Sequence, residues 1–208
     1  MKILHLDASP RANRSRSREV AQRYLSSLPG NPTIEHWALW DMQLPSLGEG
    51  MIEARYDLIR GQAVPADLAQ DWSAIREMCD DFLWFDHFVI STPMWNFGIP
   101  YRLKHFVDVV TQPGMTFTND SDGNVVGLAQ GKSAVLFAAS AMPFGKDEQL
   151  APLEFQTSYL EAWLNFIGVG KVDRINISPT FGAPEDVEKE MRDATAKAAA
   201  LASGLKAG

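Results

Sequence analysis

The sequence predicts an α/β protein built on a parallel sheet with helices on both faces. Three observations carry that expectation. Short apolar runs alternate with longer segments of helical period along the whole chain. The run His87–Ser91 places Phe88, Val89 and Ile90 side by side, as a strand buried on both faces requires. The 208 residues, 46% hydrophobic and 22% charged, suit one core without internal repeats or low-complexity linkers.

The elements follow in order. Lys2–Leu6 reads as the first strand, and Ser15–Leu28 as a helix closed by Pro29-Gly30. Thr33–Leu39 alternates apolar and polar residues and reads as the second strand. Met42–Val64 reads as irregular, interrupted by Pro45, Gly48, Gly50 and Gly61. From Pro65 to Phe85, Leu68, Trp72, Ile75, Cys79, Phe82 and Phe85 recur at three- and four-residue spacing, the stripe of a core-facing helix. His87–Ser91 is the third strand. Pro100 opens a helix to about Val110, and Met115–Val126, with Asp122-Gly123 at its middle, reads as a small hairpin. Ser133–Ala139 is the fourth strand of the main sheet, Leu153–Ile167 a helix stopped by Gly168, and Val172–Ile177 the fifth strand. An alanine-rich helix spans Pro184–Leu205. Parallel sheets of this kind bind ligands beyond the carboxyl ends of their strands, at the point where strand order reverses. The loops after the first, third and fourth strands are therefore where function is expected.

Composition excludes several classes of function. Nineteen Lys and Arg against 26 Asp and Glu leave a net charge of −7, which argues against a sequence-independent nucleic-acid binder. The single Cys79 excludes an internal disulfide and a multi-cysteine metal site. No apolar run approaches the length of a membrane span. The N-terminal residues lack the apolar core of a signal peptide, so a cytosolic address is expected.

The first loop carries the strongest chemical signal. Ser9 to Arg18 holds four arginines (Arg11, Arg14, Arg16, Arg18), three serines (Ser9, Ser15, Ser17) and no acid, and it ends at a helix start. Free backbone N–H groups and the helix dipole favour an anion there, and the composition suits a phosphate. Ser15 also suits a plain N-cap with solvated arginines around it. The local charge bias and the position after the first strand favour phosphate. A dinucleotide G-x-G-x-x-G is absent. Gly131-Lys132-Ser133 fails as a P-loop, because Gly127 is one residue too close and a strand follows.

The loop after the third strand, Met94-Trp95-Asn96-Phe97-Gly98-Ile99, sets two large aromatics between prolines. Loops run over surfaces, so a flat ligand gives Trp95 and Phe97 a reason to be there; packing beneath the loop or at a subunit contact is the alternative. Cys79 and His5 read as core residues. His105 and Asp108 read as packing groups, and Trp72 and Trp84 as core or subunit contacts.

These motifs together resemble one family. Ser9, Ser15-Arg16-Ser17, Met94-Trp95-Asn96-Phe97 and Arg102-Leu103-Lys104-His105-Phe106-Val107-Asp108 are similar to segments of FMN-dependent NADH-azoreductases, which are NAD(P)H:quinone oxidoreductases. Thr116-Phe117, Gly131-Lys132 and Asn165-Phe166-Ile167-Gly168 follow in the same order. The resemblance implies one flavodoxin-like, doubly wound domain over residues 1–208, with five parallel strands in the order 2-1-3-4-5. It implies FMN as cofactor, NADH or NADPH as donor, a quinone or azo compound as acceptor, and a homodimer. By the same resemblance, Ser9, Arg11, Ser15, Arg16 and Ser17 would hold the phosphate. Met94, Trp95, Asn96 and Phe97, with Ser140 and Gly145 of the next loop, would hold the ring and ribityl parts. An aromatic such as Trp163 or Phe166 would wall the partner's site. That third loop, Ala139-Ser140-Ala141-Met142-Pro143-Phe144-Gly145, lacks the paired glycines usual in the family, which restricts its backbone. The competing expectations are a flavodoxin-type electron carrier that docks on proteins and a phosphate-binding module without redox activity.

Overall fold

The computed structural model describes residues 1–144 and 149–205. The main sheet has five strands: β1 (Lys2–Asp7), β2 (Thr33–Ala38), β3 (His87–Pro93), β6 (Ser133–Ala139) and β7 (Lys171–Ile177). All pair in parallel, in the spatial order β2-β1-β3-β6-β7. Counting main-sheet strands alone, that is the expected 2-1-3-4-5. Strands β4 (Phe117–Asn119) and β5 (Val125–Gly127) form the expected antiparallel hairpin.

Side chains of a strand alternate between its faces, and in the three central strands β1, β3 and β6 both faces are buried, while the edge strand β2 is largely exposed. Leu4, Leu6, Phe88, Ile90, Ala134 and Leu136 belong to one core. There they meet helices α3 (Ala69–Leu83), α4 (Tyr101–Val110) and α5 (Thr157–Phe166). Ile3, Val89, Val135, Phe137 and Ala139 face the other core with α1 (Arg16–Ser26) and α6 (Pro184–Ser203). On α6 the buried Ala194, Ala198 and Ala202 recur every four residues, so a small-residue stripe lets this helix lie close to its neighbours.

Three readings need correction. Met42–Val64 contains a helix, α2 (Glu49–Ile59). Its glycines punctuate that helix: Gly48 is the N-cap, and Gly61, at φ +76°, follows the C-cap. The helix buries only Met51 and Ala54, so its apolar stripe is too thin to be read from periodicity. The segment beginning at Leu153 enters its helix only at Thr157. Glu154 accounts for the delay, since its carboxylate accepts from the Gln156 and Thr157 backbone N–H groups at 2.9 and 2.8 Å and so caps the helix start. The helix after Pro65 begins at Ala69, preceded by a 3₁₀ turn at Ala66–Leu68. Gly127 and Gly168 mark a close backbone approach between β5 and the end of α5: a Cβ on Gly127 would meet Ile167 and Gly168 backbone atoms at 2.1 Å.

Candidate functional site at the carboxyl end of the sheet

Strand order reverses between β1 and β3, and the loops that leave these strands meet there. The Ala8 N–H donates to the Ser91 carbonyl at 2.9 Å, joining the first loop to β3. The Met94 N–H donates to the Ala139 carbonyl at 2.7 Å, joining the second loop to β6. The Ser140 N–H donates to Ile177 of β7 at 3.1 Å. The three expected loops therefore sit side by side at one end of the sheet.

In the first loop the serines turn inward and most of the arginines outward. Ser9, Ser15 and Ser17 are buried, whereas Arg11, Arg14 and Arg16 are exposed. Ser15 caps α1, its Oγ accepting from the Arg18 N–H at 3.2 Å, and it lies 3.2 Å from Ser17 Oγ. The capping role and an anion-binding role are compatible, because a hydroxyl offers one donor and two acceptor sites. The Arg16 and Ser17 amides open the helix and have no intrahelical acceptor. Buried hydroxyls around a helix start are a donor set that fits a phosphate. Arg16 leans on Glu19 at 3.4 Å, out on the surface.

The second loop closes on itself. Trp95 and Gly98 exchange backbone hydrogen bonds at 2.9 and 3.0 Å, with Asn96 (φ +47°) and Phe97 (φ +73°) between them. Two successive positive φ angles make a type I′-like turn. Asn tolerates that conformation, whereas for Phe it stores about 1–2 kcal/mol of strain. Neighbours hold the strained residue in place: the Phe97 carbonyl accepts from the Phe155 N–H at 2.9 Å, and its ring meets Phe144 edge-on at 6.0 Å. The Trp95 and Phe97 side chains remain 37% and 41% exposed, so they do not pack beneath the loop. Trp95 stands 5.7 Å from Trp40 and 6.0 Å from Tyr101, centroid to centroid. A groove of about 600 Å³ opens between this aromatic group and α4, lined by Leu47, Trp95, Asn96, Ile99, Tyr101 and Lys104, with His105 and Asp108 at its side. A neighbouring groove of about 470 Å³ continues past Gly98 to Phe155 and Tyr159.

In the third loop, Ser140 is engaged locally. Its hydroxyl donates to the Met142 carbonyl at 2.8 Å, and its own carbonyl accepts from Thr180. The expected contact at Gly145 lies outside the described residues. Met142 of this loop is exposed. Trp163 is buried in its own chain, its indole N–H donating to Thr111 Oγ1 at 2.9 Å, while Phe166 is partly exposed against Phe117.

Among the residues read as structural, Cys79 is buried in α3, and burial pushes its thiol up to about 12. His105 bonds the Pro45 carbonyl at 2.8 Å, and Lys104 pairs with Asp108. Trp72 is buried, whereas Trp84 is exposed with Lys2 over its ring.

Sequence reasoning missed Trp40 and the pairing of Asp7 with Arg18. The Trp40 indole N–H donates to the Ala8 carbonyl at 2.9 Å while its ring meets Trp95, so it braces the first loop and the aromatic loop together. Its signal was positional, since it lies just past the carboxyl end of the second strand. Asp7 ends β1 with its carboxylate buried, and Arg18 is the one loop arginine that turns inward to it.

Known proteins share this architecture along the whole chain. A family model described as a flavodoxin-like fold matches residues 1–202. The FMN-dependent NADH:quinone oxidoreductase of Desulfotalea psychrophila is 35% identical over 207 residues, 98% of this chain and 97% of that protein. The FMN-dependent NADH:quinone oxidoreductase 2 of Pseudomonas syringae pv. tomato is 34% identical over 209 residues, 99% of this chain and all of that one.

The chain belongs to the family of FMN-dependent NADH:quinone oxidoreductases.

Solved structures agree with that membership. An FMN-dependent NADH-azoreductase from Bacillus anthracis, solved in complex with FMN, superposes with a TM-score of 0.78 at 25% identity, covering 97% of this chain and 99% of that one. A second azoreductase from Bacillus anthracis, at 24% identity, reaches 0.87 over 99% and 100% of the two chains and shares the fold.

Proposed function

We propose that the chain is an FMN-dependent oxidoreductase that moves electrons from NADH or NADPH to a quinone or azo acceptor in two alternating half-reactions. The observation that carries this reading is the meeting, at the switch point of the sheet, of a hydroxyl-lined helix start and a strained turn that leaves two aromatics exposed. Bound there, FMN would supply reversible two-electron chemistry.

The residues then have distinct tasks. Ser9, Ser15 and Ser17, with the first amides of α1, hold the phosphate, and Arg11 and Arg16 complement its charge from the rim. Met94, Trp95, Asn96 and Phe97 would bound the ring system, where Trp95 and Phe97 would exclude water and the turn's backbone amides would offer it hydrogen-bond donors. Ser140 shapes the third loop through its bonds to Met142 and Thr180. Fixed backbone dipoles of this kind favour negative charge that builds beside them without reorganisation. No side chain is assigned as a proton donor.

Exposed Trp95, Phe97, Tyr101, Phe155 and Phe166 suit a homodimer whose subunits close each other's sites. No helix among the described residues is long and apolar enough to cross a membrane, and a cytosolic site of action fits the reading. An absorbance spectrum followed by anaerobic titration with NADH and NADPH tests it. Heat-released flavin should be FMN, and NADH should be oxidised when a quinone is added. Release of FAD, or failure to bind flavin on reconstitution, would overturn the cofactor assignment. FMN binding without quinone-dependent NADH oxidation would leave an electron carrier. Light scattering at the single-chain mass would remove the shared site.

A further inference from the structure

Three arginines of the first loop point to water, and the fourth does not. Arg18 folds back so that its Nε lies 3.5 Å from Asp7 Oδ2, with its side chain 22% exposed. That Nε is buried and has no hydrogen-bond acceptor among the described residues, so charge and not a directional bond holds it against Asp7. Asp7 is 1% exposed. One carboxylate oxygen, Oδ1, accepts from the Ser9 N–H at 3.0 Å and from the Ser91 hydroxyl at 3.2 Å. The His36 ring lies 3.7 Å from Oδ2. His5, whose Nε2 is 3.0 Å from Ser91 Oγ, is held neutral by burial.

A buried carboxylate therefore stands one hydrogen bond from Ser9, at the base of a proposed phosphate site. Its use is clear: a carboxylate oxygen takes two donors at once and so ties the first loop to β3. Its drawback is equally clear, because a buried negative charge repels an anion in a medium that screens poorly. We infer that Asp7 and Arg18 form a positioning pair for the phosphate site, in which Asp7 fixes Ser9 and Arg18 serves as the counter-ion that cancels Asp7, not as a ligand of the phosphate. The inference rests on the reading of this loop as the FMN phosphate site.

Riboflavin offers the control, since it carries the same ring without the phosphate. The ratio of riboflavin to FMN dissociation constants, read by flavin fluorescence at one pH and salt concentration, isolates the phosphate term. Wild type should prefer FMN. Arg18→Gln leaves Asp7 uncompensated and should cut that preference by about tenfold. Asp7→Asn keeps an oxygen acceptor for Ser9 and should raise the preference by about threefold or more. The double variant should return to within about threefold of wild type. A double variant as poor as Arg18→Gln alone would make Arg18 a direct phosphate ligand and overturn the inference. So would an Asp7→Asn preference that stays level or falls, and this arm decides the matter alone if Arg18→Gln does not fold. A merely architectural pair would weaken riboflavin and FMN equally and leave the ratio fixed, which also overturns it. A wild type indifferent to the phosphate would instead overturn the phosphate-site reading itself.

Discussion

Two buried histidines occupy neighbouring strands of one sheet, and their surroundings differ in a way that separates architecture from chemistry. His87 opens β3 at the amino end of the sheet, where its Nδ1 is 2.7 Å from Ser133 Oγ and its Nε2 is 3.0 Å from Tyr24 Oη. Hydroxyl partners close that chain at both ends. His5 lies on β1 nearer the carboxyl end, and its chain runs on through Ser91 to Asp7, Arg18 and Ser9. A closed network satisfies buried polar groups and does nothing more. A network that reaches ions and a loop amide is placed to act on whatever the loop binds. The depressed basicity of the two rings is alike, so burial alone does not mark the functional end.

The largest expected effect tests the loop end. Replacing Ser15 and Ser17 together by Ala should weaken FMN binding by roughly tenfold or more per serine, because hydrogen bonds to a charged partner contribute about 1.5–3 kcal/mol each. Fluorescence titration measures it. Unchanged affinity would reduce Ser15 to the helix cap it also provides.

The opposite end should respond in stability instead. His87→Ala removes a buried ring and leaves Tyr24 and Ser133 without their shared partner, at a cost of about 2–4 kcal/mol in chemical denaturation. FMN affinity per folded molecule should stay at the wild-type value. A comparable loss of affinity would show that the two ends are coupled and would break the contrast.

Acid should act on both histidines. Burial is the main cause that lowers His5 from 6.5 to about 3 and His87 from 6.5 to about 4. In the unfolded chain both rings take up protons as pH falls through 6.5, while in the folded chain they do not. Their contribution to stability is therefore complete above pH 6.5 and declines as pH falls from there, to about 4 for His87 and about 3 for His5. Each contributes a slope of up to about 1.4 kcal/mol per pH unit within its window. Denaturation series from pH 7 to pH 4 should show this loss, and His87→Gln should remove its share of the slope. A slope identical in wild type and variant would contradict the neutral buried ring.

The smallest effect concerns the aromatic turn. Trp95→Ala should stay folded and keep most of its FMN, since the ring stands against Trp40 and Tyr101 at the surface and is partly exposed. Its kcat/KM for a quinone should fall by about threefold to tenfold, the size of an aromatic contact. Unfolding with unchanged activity per folded molecule would return Trp95 to the core.

Much of this protein was legible in its sequence because the relevant signals are local. Apolar runs on β3 and β6, the stripe of α3 and the hairpin follow from period and turn chemistry, which neighbouring residues determine. The composition of Ser9–Arg18 gives the expectation of an anion there, and the burial of its three serines at the start of α1 is compatible with it. Helix α2 was not legible, because only Met51 and Ala54 face a core and its glycines act at its ends.

What the sequence by itself determined is the α/β alternation, the two-faced burial of β3 and β6 and the residue types gathered in the first two loops. What only the tertiary structure decided is which of those residues face one another. Arg16 and Arg18 are two apart on one helix and read alike, yet one lies in solvent beside Glu19 and the other against Asp7. Asp7 and Ser91 meet across 84 positions of chain because β1 and β3 pair in parallel register. Phe97 holds a strained turn because Phe155 and Phe144 arrive from distant segments. Pairing across strands is a long-range choice settled by the burial of the whole sheet, and no local pattern records it.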